Sequence, residues 1–236
     1  MRSILLLLSI SILLGCSQKE ATQITTQHQG ALRTLMGGDL SAVMAVDSLS
    51  KKEHLYALGA LKDLKGELQI FDGKSFTTKV QDSAVVVDSS FEQEASLIVY
   101  ANVSDWIAVS IPATVNSQKS LEEFIEAKAA AHGFSLEKPV PFLIEGTAKS
   151  LRWHVIDWPN GDNQHTHEKH RTSGLNGNLE NAEVTVVGFF SLHHTAVFTH
   201  HTTNVHMHFK TQDGQLAGHL DQLELGDNMT LKLPKL

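Results

Sequence analysis

The chain predicts a strand-rich α+β fold, with a mixed β-sheet packed with helices in the N-terminal half and an antiparallel β-sheet in the C-terminal half. Three observations carry this. Short runs rich in β-branched and aromatic residues recur between turn residues. The pairs Asp72-Gly73 and Asp213-Gly214 are strong short hairpin signals. One segment, from Leu121 to His132, has the periodicity and end signals of a long helix. At 236 residues with 42% hydrophobic content, the chain can bury one sizeable core or two small ones sharing a sheet, and it is read as one globular unit.

Met1 and Arg2 precede an apolar run from Ile4 to Leu14. A bilayer span needs about 20 residues, so residues 1–15 read as a secretory signal. The run ends in Leu13-Leu14-Gly15-Cys16, which resembles the lipobox of bacterial lipoproteins, where the cysteine becomes the lipidated first residue. That resemblance implies an exported chain held in the cell envelope by a lipid anchor on Cys16. Residues 16–33, Gln/Thr-rich and poor in large apolar side chains, then form a tether, and the folded part spans 34–236. Cys16 is the sole cysteine, so a disulfide within the chain is excluded and a metal site must be built from histidine and carboxylate. The formal charge of −7 argues against non-specific attraction to nucleic acid or an anionic membrane surface.

Within the folded part, Asp39 to Ala60 carries apolar residues at helical spacing and predicts two short helices around Asp47-Ser48. Strands follow at Glu67 to Phe71 and Lys74 to Lys79 about the Asp72-Gly73 turn, then at Ala84 to Val87, Leu97 to Val103 and Trp106 to Pro112. The Leu121–His132 helix takes Ser120 as N-cap, Glu123 to complete a capping box and Gly133 as its stop. Phe142 to Glu145 and Leu151 to Ile156 predict two strands, and Trp158 to Asn178 a long loop. Strands at Val184 to Leu192, Asn204 to Lys210, Leu216 to Leu225 and Met229 to Leu233 complete the C-terminal half.

Eleven of the 14 histidines, all but His28, His54 and His132, fall between His154 and His219. Packing alone accounts poorly for that crowding, because each buried ring nitrogen needs a partner. His206 and His208 alternate on a strand and so share one face. A tight turn at Asp213-Gly214 sets His208 opposite His219 and His206 opposite Asp221, with Cβ atoms of opposed residues roughly 4.5 to 5.5 Å apart. Three imidazoles at that separation converge on one ion, with Asp221 beside them to fix a ring tautomer. Three nitrogens and an open position suit catalytic zinc, and another divalent transition metal fits the same set. This places a metal site on the C-terminal sheet. His165, His167 and His170 in the long loop, with His194 and His201 flanking the hairpin, are candidates for lining the cavity or holding a second metal.

Read together, Gly59-Ala60-Leu61, Gly66-Glu67-Leu68, Phe71-Asp72-Gly73-Lys74, Val187-Gly188-Phe189, His206-Met207-His208-Phe209 and Gly218-His219-Leu220-Asp221 resemble the α-acetolactate decarboxylase family. The likeness is colinear from about Gly37 to Leu225. It implies decarboxylation of 2-acetolactate, a small 2-hydroxy-3-oxo acid, to acetoin by an enzyme with zinc on the three histidines and Glu67 handling the proton; it leaves a homodimer open. Two departures stand out. Leu143 occupies the position where the family motif supplies an arginine near the substrate, which leaves Arg152 or a protonated His154 as the cation for a carboxylate. The family's second glutamate, from a C-terminal segment, has no evident counterpart. Alternative readings are a non-catalytic, envelope-tethered metal-binding protein and a metal-dependent lyase or hydrolase with another substrate.

Overall fold

The computed structural model describes residues 24–236. The expected signal segment 1–15 and the lipidation of Cys16 lie outside the described residues. Order begins earlier than the expected boundary near Thr34: Gln27–Gln29 (β1) already pairs with a strand of the first sheet, and the Tyr100 hydroxyl donates to Gln27 Oε1 at 2.5 Å.

The first sheet also contains Met44–Ala45 (β2), Leu55–Leu61 (β3), Glu67–Phe71 (β4), Lys74–Ser75 (β5), Thr77–Gln81 (β6), Ala84–Asp88 (β7) and Glu94–Asn102 (β8). Its order is β1-β8-β3-β4-β6-β7, with β2 on β8 and β5 on β4. The second sheet contains Trp106–Ser110 (β9), Val140–Val155 (β10), Leu175–Phe190 (β11), Val205–Thr211 (β12), Ala217–Glu224 (β13) and Thr230–Pro234 (β14), in the order β11-β12-β13-β10-β14-β9. Because β10 also pairs with β11 along its length, strands β10 to β13 close on themselves. Helices Leu32–Met36 (α1), Gln118–Ala131 (α2) and His167–Thr172 (α3) complete the fold.

The strand-rich α+β class is the one expected, but every strand pairing in the first sheet is antiparallel where a mixed sheet was expected. The two short helices expected before Ala60 are instead a 3-10 turn, Val46–Leu49, and strand β3. All seven residues of β3 are buried, and a strand covered on both faces reads as an unbroken apolar run without the alternation that betrays a half-buried one. Helix α2 starts a turn earlier than expected: Ser117 is the N-cap and its partner in the capping box is Ser120, not Glu123. Strand β10 runs through what reads as two strands, and the long loop is interrupted by α3 and by the opening residues of β11.

Side-chain alternation distributes three cores. Leu55, Ala57, Leu68 and Ile70 point to the outer face of the first sheet, under Val46 and Leu49. Tyr56, Leu58 and Phe71 point the other way and meet Leu143, Val187, Phe189 and Phe198 of the second unit, so the two sheets are joined by an apolar layer. Phe142, Phe190, Phe209 and Leu231 fill the third core with Leu121 and Ile125 of α2. Each fully buried large apolar side chain here contributes roughly 1.5–3 kcal/mol of transfer free energy. With Leu68 and Ile70 directed outward, Glu67 and Gln69 on β4 must face the second sheet. With Val205, Met207 and Phe209 in the third core, His206 and His208 on β12 must face the first.

Candidate metal centre

His208 and His219 are directly opposed across β12 and β13, as the hairpin register requires. The ring centroids of His206, His208 and His219 lie 5.0 to 5.1 Å apart, and one nitrogen from each ring falls within 4.8 Å of the other two. His208 Nε2 stands 3.3 Å from His206 Nε2. Two nitrogens about 2.0–2.1 Å from a tetrahedral ion are about 3.3 Å apart, so this edge already has the length a shared ion imposes. The three histidines fit a divalent transition metal.

A side chain that sequence reasoning missed sets the tautomer. Gln69 is fully buried on β4, and its amide nitrogen donates to the Phe76 carbonyl and, at 3.3 Å, to Thr78 Oγ1. Its oxygen is thereby left to accept from His208 Nδ1–H at 3.0 Å, so the lone pair of His208 is at Nε2, toward His206. Metal-ligating imidazoles are oriented in this way. Gln69→Leu is expected to weaken metal affinity by about 10- to 100-fold while the far-UV spectrum is unchanged, as competition with a chromogenic chelator will measure.

The His206–Asp221 pairing expected from the hairpin does not form, because the ladder ends at His208 and His219. Asp221 is instead the extra residue of a bulge, with Leu220 against Trp153 and Gln222 against Arg152. Its carboxylate takes His154 Nδ1–H at 3.0 Å on both oxygens and lies 3.5 Å from His219 Nδ1. Gly218 permits this approach, since a methyl group there would sit 2.7 Å from the His154 carbonyl. Burial works against the charge of Asp221, yet hydrogen bonds from His154 and His219 hold its carboxyl below the usual range.

Glu67 closes the arrangement from the other sheet. Gly66, at φ +141° with Thr78 O only 2.1 Å from where a methyl group would stand, lets the chain enter β4 so that Glu67 is seated inward. Glu67 Oε1 accepts from Ile156 N–H at 3.2 Å and lies 3.6 Å from His154 Nε2, while Oε2 lies 3.8 Å from His208 Nε2. Burial raises its carboxyl well above the ordinary glutamate value, so it keeps a proton that an exposed glutamate would lose.

Burial pushes His154 down from 6.5 to about 4 and lowers His206 and His208 well below 6.5. Unfolding releases these rings to ordinary values, so between the two pKa values the unfolded chain binds more protons, and stability falls as pH drops from about 6.5 toward 4. His154 by itself accounts for about 3 kcal/mol across that window. Glu67 has the opposite sign, since its folded value is raised, but three histidines outweigh one carboxyl. Metal-free protein is therefore expected to melt at progressively lower temperature from pH 7 to pH 4, as calorimetry will show.

A family model for alpha-acetolactate decarboxylase matches residues 27–236. The chain belongs to that family. Among solved structures, acetolactate decarboxylase from Bacillus subtilis subspecies spizizenii superposes with a TM-score of 0.72 at 15% identity, and that from Bacillus subtilis strain 168 with 0.69 at 15%. A Staphylococcus aureus protein of unknown function, described as similar to alpha-acetolactate decarboxylase, gives 0.69 at 18%. Each likeness covers 90% of this chain and 86% of the other. Among curated proteins, none matches in sequence.

In this family member Glu67, His154, His206, His219 and Asp221 line one cavity of about 250 Å³. Other residues expected at the site are scattered. Arg152 does not line it but lines an adjoining polar cavity with Ser150, Asn178 and Gln222, the two cavities sharing Gln118 and Asp221. Leu143 is buried in the layer between the sheets and does not line the cavity. The loop histidines form no common ligand set: His165 Nδ1 and His170 Nε2 are 2.9 Å apart beside Trp158, whereas the His167 ring lies 4.1 Å from His200 and His200 4.0 Å from His201. Of the five expected there, His167 and His170 line the cavity and His165, His194 and His201 do not. His194 is turned to Ser191, at 2.7 Å, and stacks on Phe198.

Proposed function

We propose that this chain is a metal-dependent carboxy-lyase acting on 2-acetolactate or a closely related 2-hydroxy-3-oxo acid, releasing carbon dioxide and a hydroxyketone, with zinc as the metal. The observation that carries the reading is the meeting of buried Glu67 from one sheet with the three-histidine set of the other, 3.8 Å from His208 Nε2, in a chain of this family. A divalent metal on His206, His208 and His219 supplies Lewis-acid polarisation of adjacent substrate oxygens and stabilises the enediolate charge left when carbon dioxide departs. The protein does the rest. Glu67, held protonated by burial, delivers its proton to the carbon that lost carboxylate, and His154 Nε2, 3.6 Å away, is placed to return one. Asp221 holds His154 with Nδ1 protonated, so Nε2 carries the lone pair and first takes a proton from solvent before passing it to Glu67. Leu35, Leu64 and Phe198 exclude water from the same cavity. We further propose that the chain is exported and anchored through lipid on Cys16.

The test is acetoin formation from racemic acetolactate by protein of measured metal content, with and without a chelator. Chelator-sensitive acetoin production supports the reading. Protein carrying one zinc per chain that forms no acetoin overturns it.

A further inference from the structure

Helix α3 contributes His167, His170 and Arg171 to the cavity wall. The cavity is lined by two carboxylates, Glu67 and Asp221, and by six imidazoles, and Arg171 is the one lysine or arginine among the described residues that line it. Imidazoles are largely uncharged at neutral pH, and burial pushes those of His170 and His200 down further, to about 4. A guanidinium stays charged throughout. An anionic substrate entering this space therefore has one permanent cation to meet.

Arg171 is held ready for that contact. Thr166 caps α3 by accepting Lys169 N–H, and Lys169 Nζ donates to Asp162 at 2.7 Å. His170 bonds to His165 and packs edge-on against the fully buried Trp158. The helix is thus pinned at its start and along its inner side. Arg171 Nη2 donates to Glu168 Oε2 at 2.6 Å, with Glu168 about 69% exposed and Arg171 about 27%. An ion pair with so exposed a partner contributes little, and it leaves guanidinium donors for a second carboxylate, which a planar fork binds bidentately.

We propose that Arg171 is the specificity-determining residue that recognises the carboxylate of a small 2-hydroxy acid in this cavity. The assignment rests on the reading of the site as one for 2-hydroxy-3-oxo acids. It gives α3 a function beyond the cavity lining that was one of the two alternatives for its histidines, and it supplies from α3 the charge expected near position 143. Glu168 competes for the same guanidinium in the free protein.

The test uses cobalt-loaded protein, whose visible spectrum reports ligands at the metal, titrated with 2-hydroxyisobutyrate as a carboxylate probe and acetoin as a neutral one. Arg171→Met is expected to raise the carboxylate dissociation constant about 10- to 100-fold and to leave that of acetoin and the cobalt content unchanged. Arg171→Lys, which keeps charge but loses the fork, falls between, and Glu168→Gln tightens the carboxylate several-fold. Equal carboxylate affinity in wild type and both Arg171 variants overturns the assignment, as does parallel weakening of both probes. Wild type that binds the carboxylate in an Arg171-dependent way but forms no acetoin from acetolactate would leave Arg171 standing and sink the decarboxylase reading. Turnover of acetolactate with an unchanged KM in Arg171→Met would do the reverse.

Discussion

His208→Ala is expected to empty the metal centre, taking metal content from about one per chain to near zero and activity below detection. His208 is fully buried, faces His219 across the hairpin and stands 3.3 Å from His206, so its loss leaves two imidazoles with no third member to complete a tetrahedral set. Two stability effects add to this. Gln69 Oε1 loses the N–H it accepts, and an unsatisfied buried acceptor costs about 1–3 kcal/mol. The variant also forgoes stabilisation by bound metal, about 4 kcal/mol when free metal is 1,000 times its dissociation constant. In a chain of this size each kcal/mol moves the melting temperature by roughly 2–4 °C. Calorimetry with and without chelator will separate the two: wild type loses on the order of 10 °C when metal is removed, and the variant does not respond. A variant that retained one tightly bound metal would move the centre elsewhere.

Glu67→Gln is expected to lower kcat by about 10² to 10⁴ with metal content and KM little changed. The amide oxygen can still accept from Ile156 N–H, as Glu67 Oε1 does, so the fold has no reason to move. What is lost is the transferable proton. The same change is expected to raise stability at high pH, because burial opposes ionisation of Glu67 in the folded state and the unfolded chain ionises it freely. A slower enzyme that is more stable above neutral pH is the signature of a residue kept for chemistry at a cost in folding. Unchanged kcat would remove Glu67 from the reaction.

Errors of the sequence reading have physical causes that can be named residue by residue. Leu55–Leu61 reads as helical because both its faces are covered, which erases the period of two. Arg152 reads as a stand-in for the arginine missing at Leu143 because it lies one strand on from that position, but in the folded chain it lines a cavity with Ser150 and Gln222 that meets the metal cavity only at Gln118 and Asp221. His165, His167 and His170, placed in an expected loop, leave cavity lining and a second metal both open. Once Thr166 caps a helix there, His167 and His170 enter the cavity wall while His165 turns to Trp158.

What the sequence by itself determined is the local half of the centre: His206 and His208 on one strand face, His219 brought opposite by the Asp213-Gly214 hairpin, and Glu67 singled out through its family motif. Strand alternation and a tight turn depend only on neighbouring residues, so spacing is enough to read them. Only the tertiary structure decided that Glu67 and Gln69 cross from the first sheet to meet those rings, that Asp221 serves His154 and not His206, and that Arg171 supplies the cavity's cation. Those contacts come from packing two sheets through a layer of Leu58, Phe71, Val187 and Phe189. That layer is apolar and non-directional, and its residues carry no mark of which polar groups they will bring together at its edge.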